Sequence, residues 1–165
     1  MRLFSFAFII LFSFNSIACD HQTLPSGSDK EVTEAASFDK DAMVHDILSL
    51  INEHRRSIGK SPLQLINQAS AEATKHSTDM AFGRTPFGHD GFDDRWDDLT
   101  KKMGKLAAMA ENVAYGHIDA KQVVDLWINS AGHRKNLEGN FNFTGIGLAQ
   151  SQDGTIYFTQ IFLRK

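Results

Sequence analysis

Apolar residues change their spacing along the chain, and each change marks a different kind of segment. Leu3 to Phe14 is an almost unbroken apolar run behind the positive charge of Arg2, and it closes on the small residues Ser16 to Cys19. A charged start, an apolar middle and a small-residue end make the layout of a secretory signal, and the run is too short to be a spanning helix. Residues 20–37 turn polar, with Pro25, Gly27 and several Ser and Thr, the composition of a flexible tether. From Phe38 a helical period takes over. Met43, Val44, Ile47, Leu50, Ile51 and Ile58 recur at spacings of three, four and seven, and Gly59 stands where such a helix ends. A short apolar stretch around Pro62 to Leu65 leads to a second helix, from about Asn67 to Phe82, stopped by Gly83. Its stripe of Ala69, Ala73, His76 and Met80 is built largely of small residues, which predicts close packing against a neighbour.

A loop rich in Gly and Asp follows, then Trp96, Leu99 and Met103 at helical spacing, then an Ala- and Met-rich run ending in Glu111-Asn112. Asp119 is a good N-cap for the next helix, which runs through Val123, Val124 and Trp127 and is expected to break at Gly132. The period then switches to that of strands. Phe143 to Gln150 and Thr155 to Leu163 flank Ser151-Gln152-Asp153-Gly154, which predicts two strands joined through an Asp-Gly hairpin. Helices first and antiparallel strands last make one α+β domain over residues 38–165.

The net charge of -3 and the scattered Lys and Arg exclude nucleic acid as a partner, because no basic face is available to phosphates. The single cysteine closes no intramolecular disulfide, so the fold rests on burial and hydrogen bonding. That cysteine, Cys19, stands where the signal would be cut. Residues 1–18 therefore resemble a bacterial lipoprotein signal peptide, in which Cys19 is lipidated and residues 19–37 become a lipid-anchored tether. Ser16 departs from the usual Leu of that pattern, and ordinary cleavage with an incidental cysteine is the alternative. Either way the protein is expected to be exported, as an envelope lipoprotein of the inner or outer membrane or as a secreted protein.

Residues able to carry chemistry are few. The chain has no glycine-rich phosphate loop, no His-Glu-x-x-His and no Gly-x-Ser-x-Gly. His21, His45, His54 and His117 lie among polar neighbours and are expected on the surface, while His76 falls on an apolar stripe, as a hydrogen-bonded core histidine would. His89 and His133 differ, since each sits where a helical pattern gives way to Gly-containing backbone, and functional side chains favour such places. Periodicity leaves a ligand role and a structural role open for both. The acids Asp90, Asp93, Asp94, Asp97 and Asp98 lack the alternate spacing and terminal Glu of a calcium loop and read as an acidic helix start.

Six segments occur in an order seen in one superfamily: Asn52-Glu53-His54-Arg55, Phe87-Gly88-His89, Glu111-Asn112-Val113-Ala114, Trp127 to Leu137, Gly145-Ile146-Gly147 and Phe158 to Phe162. From about Val44 to Phe162 the chain resembles the CAP or SCP-like domain of cysteine-rich secretory proteins, antigen five and pathogenesis-related proteins, in its bacterial branch. The resemblance implies a three-layer α-β-α sandwich around a central antiparallel sheet, with a cleft built on two histidines and two acids. His89 matches the first histidine, Glu111 the acid of the Glu-Asn motif and His133 the second histidine. Ser130 stands where eukaryotic members carry the second Glu. The family's disulfides are missing here.

Two neutral imidazoles and a carboxylate suit zinc or another divalent metal, which makes His89, Glu111 and His133 the expected metal ligands, with Ser130 able to order a water. A helix continuing from Ser130 to His133 would put both side chains on one face. A divalent-metal or small-ligand cleft is therefore one expectation. A hydrolase is a second, either a serine enzyme using Ser130, His133 and Glu111 or a metal-assisted one, although no strained elbow or oxyanion hole accompanies Ser130. A third is a surface module for a lipid, glycan or protein ligand, with a purely structural tetrad in which Glu111 pairs with His133 and Asn112 and Asn136 tie down backbone.

Overall fold

The computed structural model describes residues 38–165; the signal segment, Cys19 and the tether lie outside the described residues. Helix α1 (Lys40–Ser57) starts where Asp39 accepts hydrogen bonds from the amides of Asp41 and Ala42 at 3.1 and 3.0 Å, satisfying two donors that the first turn leaves free. It buries Ile47 and Ile51, the centre of the predicted stripe. Strand β1 (Gln64–Leu65) follows, held by Asn52, whose side-chain amide donates to Leu63 O and accepts from Leu63 N. Helix α2 (Asn67–Ala81) and helix α3 (Phe92–Met103) come next, α3 carrying Asp93 and Asp94 in its first turn.

The Ala- and Met-rich run, left without a period by the sequence, forms strand β2 (Ala108–Gly116). Helix α4 (Ala120–Asn129) opens with a reciprocal cap, Gln122 N donating to Asp119 Oδ1 while Asp119 N donates to Gln122 Oε1. The expected break at Gly132 falls instead at Ser130. That residue is extended (φ -96°, ψ 119°) and separates α4 from helix α5 (Ala131–Leu137), which contains Gly132. Strands β3 (Phe143–Gln150) and β4 (Ile156–Arg164) form the predicted hairpin, turning through Gly154 at a φ of 86°.

The sheet runs β1-β3-β4-β2. Its main ladders are antiparallel, with β4 between β3 and β2, and the short β1 adds a parallel pair beside β3. Alternation along β4 feeds two cores. Phe158 and Phe162 pack with Ile47, Ile51, Val124, Trp127 and Leu137 of α1, α4 and α5, whereas Ile161 and Leu163 pack with Ala69, Ala73 and Leu99 of α2 and α3. This is the expected α-β-α sandwich.

Two features hold the layers without a disulfide. Arg55, 2% exposed, donates to four carbonyls, those of Ser61, Leu137, Gly139 and Phe141, and so binds the end of α1 to the connection between α5 and β3. On the opposite face α2 lies directly on the backbone of β3. A Cβ on Gly145 would stand 2.1 Å from Ala69 C, and one on Gly147 would stand 2.0 Å from Thr74 N. The obstructing atoms are backbone, so only displacement of the helix could admit a methyl group. Gly147→Ala is expected to cost about 2–3 kcal/mol by overpacking, read as a melting temperature lower by about 5–10 °C in calorimetry.

Candidate functional site

Strand β2 is the free edge of the sheet, and its Glu111-Asn112 pair points to opposite faces. On the face covered by α2 and α3, the Glu111 side chain is 1% exposed. A charged carboxylate so deep requires a partner. Arg95 of α3 supplies it with two hydrogen bonds, Nε to Oε2 at 2.8 Å and Nη2 to Oε1 at 2.7 Å. The second guanidinium terminus, Nη1, donates to Asp90 O at 2.8 Å. His89 Nδ1 lies 2.9 Å from Glu111 Oε1. Since a carboxylate oxygen can only accept, Nδ1 carries the proton, and the neutral ring keeps its lone pair on Nε2. The His89 side chain is 53% exposed.

The loop bearing His89 is fixed from a third side. His76, buried on α2, donates from Nε2 to Gly88 O at 2.9 Å, with the same nitrogen 3.9 Å from Glu111 Oε1. Burial, opposed in part by that hydrogen bond, holds the His76 pKa below the usual imidazole value. Gly91 then turns the chain into α3 at a φ of 74°, a left-handed conformation suited to glycine.

Asn112 serves the other face. Its Nδ2 donates to His133 O at 3.2 Å, while Asn136 Nδ2 donates to Asn112 Oδ1 at 2.8 Å and to Glu111 O at 3.2 Å. These bonds dock α5 and its His133 against the strand that carries Glu111. The His133 pKa is lowered first by burial and then by the charge of His89. Ser130 precedes His133 at the start of α5, where its side chain makes no capping hydrogen bond.

Several expectations change on this geometry. Glu111 pairs with His89 and Arg95 rather than with His133, and the bracing of α5 falls to Asn112 and Asn136. Ser130 is a joint between helices, not a residue inside one. Among the described residues no three His, Cys, Asp or Glu side chains gather as a metal cage. The trio of His89, Glu111 and His133 is therefore not assembled as a ligand set, because Arg95 occupies both Glu111 oxygens. Arg95 and His76 were not foreseen in the site. The available signal for Arg95 was an arginine on the same helical stripe as Leu99, a place that demands a buried anion.

Comparison with known proteins agrees with the fold and the family resemblance. Residues 48–162 match the CAP family, described as the cysteine-rich secretory protein family. The chain belongs to this family. The uncharacterised protein YkwD of Bacillus subtilis (strain 168) is 33% identical over 145 residues, 86% of this chain and 55% of the relative. The uncharacterised membrane protein YlbC of the same organism is 30% identical over 130 residues, 72% of this chain and 34% of that protein. The CAP chain thus spans about half or less of the curated relatives it matches. An extracellular protein containing an SCP domain from Bacillus anthracis str. Ames has a solved structure that is 30% identical, with a TM-score of 0.61, covering 77% of this chain and 44% of that one. An outer surface protein of Borrelia burgdorferi shares the fold at 20% identity, with a TM-score of 0.65 over 77% of this chain and 96% of that one. No helix among the described residues is long and apolar enough to cross a membrane.

Two outcomes follow from the buried charges. Arg95→Met strands the Glu111 carboxylate and is expected to cost about 3–5 kcal/mol, whereas adding Glu111→Gln to that variant recovers much of the loss; urea unfolding of the two variants measures the coupling. His76 and His133 release their protons more readily in the folded protein than in the unfolded chain. The unfolded state thus binds more protons below about pH 6.5, and stability falls as pH drops from there toward the depressed folded values. A urea midpoint lower at pH 5.5 than at pH 7.5, with the difference reduced in His76→Gln, checks this.

Proposed function

We propose that this CAP domain is an exported binding module whose cleft takes a divalent transition metal through the imidazoles of His89 and His133. The observation that carries it is the 2.9 Å bond from His89 Nδ1 to the buried Glu111 carboxylate, on a ring whose opposite nitrogen is free to meet a ligand. A carboxylate that fixes the tautomer of a ligating histidine is a recurrent arrangement around zinc. In it Glu111 orients and does not ligate, and Ser130 can order a water beside the site. A bound zinc would supply Lewis acidity at the cleft mouth.

Hydrolysis by Ser130, His133 and Glu111 lacks support, because the Glu111 oxygens accept from Arg95 and His89 and, among the described residues, no carboxylate bonds to the His133 ring. Export and attachment through Cys19 belong to the same proposal. They rest on the layout of residues 1–37 and on the similarity to an extracellular SCP-domain protein.

Zinc titration by calorimetry tests the cleft. Micromolar binding is expected, weakened about tenfold in Glu111→Gln as outer-shell partners are in other metal sites, and lost in His89→Ala/His133→Ala. Binding unchanged in the double variant, or no binding by the folded protein, would overturn the metal reading. Palmitate incorporation in cells that is abolished by Cys19→Ser is the expected result for the anchor.

A further inference from the structure

Five large hydrophobic side chains are exposed among the described residues, and three of them, Phe82, Phe87 and Tyr115, fall on one strip of surface. Tyr115 and Tyr157 stand opposite one another on β2 and β4 and stack with centroids 5.5 Å apart at 18°. Phe87 meets Tyr115 edge-on at 4.7 Å. Tyr157 continues the row into a cavity of about 420 Å³, which it lines with Phe82, Ser151, Gln152 and Asp153. None of the four rings belongs to either core cluster, so packing does not account for the row. Phe87 is exposed to 48% and Tyr115 to 56%.

We propose that Phe87, Tyr115, Tyr157 and Phe82 form a binding platform for a neutral glycan chain, beside the imidazole cleft and independent of metal at that cleft. The row is open, and its rim is polar. Pyranose rings present a flat C–H face and a hydroxylated edge; the aromatic faces match the first, and the Gln152 amide and Asp153 carboxylate match the second. Charge decides between ligand classes. The cavity lining carries a carboxylate and no cation. Arg84, which lies over the Phe82 ring, shares Asp79 with Lys75 at 3.1 and 2.9 Å, and neither cation belongs to the cavity lining. An anionic headgroup would meet the Asp153 carboxylate, which accepts from Ser151 Oγ and Thr155 N and has no cation against it among the described residues, whereas a neutral sugar meets hydrogen-bond acceptors. The platform also leads to the cleft: Phe87 is two residues before His89, and Tyr115 shares a face of β2 with Glu111.

The test is titration of the purified protein with tetramers of β-1,4-linked N-acetylglucosamine, cellotetraose and maltotetraose, followed by tyrosine fluorescence and calorimetry, with anionic phospholipid vesicles in parallel. Saturable binding of at least one tetramer is expected. It should weaken about tenfold in Tyr115→Ala, the scale of one lost aromatic stacking contact. Tyr115→Phe, which keeps the ring, and Leu126→Ala, an exposed residue outside the strip, should bind as the unaltered protein does. Tyr115→Ala should remain folded, with a melting temperature lower only by the loss of its contacts with Phe87 and Tyr157, and its zinc titration should be unchanged, which separates this platform from the metal reading. No binding of any tetramer, binding indifferent to Tyr115→Ala, or binding of vesicles in place of sugars would overturn the proposal.

Discussion

The site depends on one constraint: a carboxylate buried to 1% exposure must be neutralised where it stands. Arg95 meets that demand, and in doing so it fixes more than Glu111. A guanidinium is planar, so committing Nε and Nη2 to the two carboxylate oxygens also sets the direction of Nη1, which falls on Asp90 O. The loop carrying His89 is thereby tied to α3 and to β2 by a single side chain. With Oε1 placed, the His89 ring has one hydrogen-bonded orientation, and the tautomer follows from it. The geometry of the exposed histidine is thus a consequence of the buried arginine.

The remaining supports come from the packing of the layers. Gly145 and Gly147 let α2 approach the sheet until backbone touches backbone, and that approach brings His76 within reach of Gly88 O and of Glu111. Asn112, on the other face of the same edge strand, holds α5 through main-chain and amide contacts rather than charge. The two histidines therefore ride on different layers of the sandwich, and side chains of β2 bond to both segments, Glu111 to the His89 ring and Asn112 to the His133 carbonyl. Arg55 does for the α1 and α5 side what a covalent link does in disulfide-bonded domains, closing a gap between distant segments by saturating their carbonyls.

Much of this was legible in the amino-acid order, and the illegible parts share a cause. The period of α1, the Asp119 cap, the Asp153-Gly154 turn and the small stripe of α2 are local signals, each set by neighbours a few residues away, and the structure bears them out. The family motif brought His89, Glu111, Ser130 and His133 forward, and the order of segments implied the sandwich. Strand β2 was hidden because its face toward α2 and α3 holds Glu111 and Tyr115, a charge and an exposed ring, so no clean alternation of apolar residues marks it. The pairing of Glu111 was hidden because it is decided by a partner sixteen residues away that itself looked like part of an acidic, solvated helix start. The helix break at Ser130 escaped notice because glycine is the usual interrupter, whereas here the extended backbone of Ser130 lets α5 turn against β2, with Gly132 tolerated inside a short helix.

The electrostatics of the cleft bear on what can enter it. Arg95 offsets the charge of Glu111, so the chemistry that the site itself offers a ligand lies in the lone pairs of the imidazoles. Protons and metal ions compete for those same lone pairs. The lowered pKa of His133 weakens the proton's side of that competition, first through burial and then through His89. For His133, burial and the neighbouring His89 both disfavour the imidazolium, so its lone pair stays available to whatever enters the site.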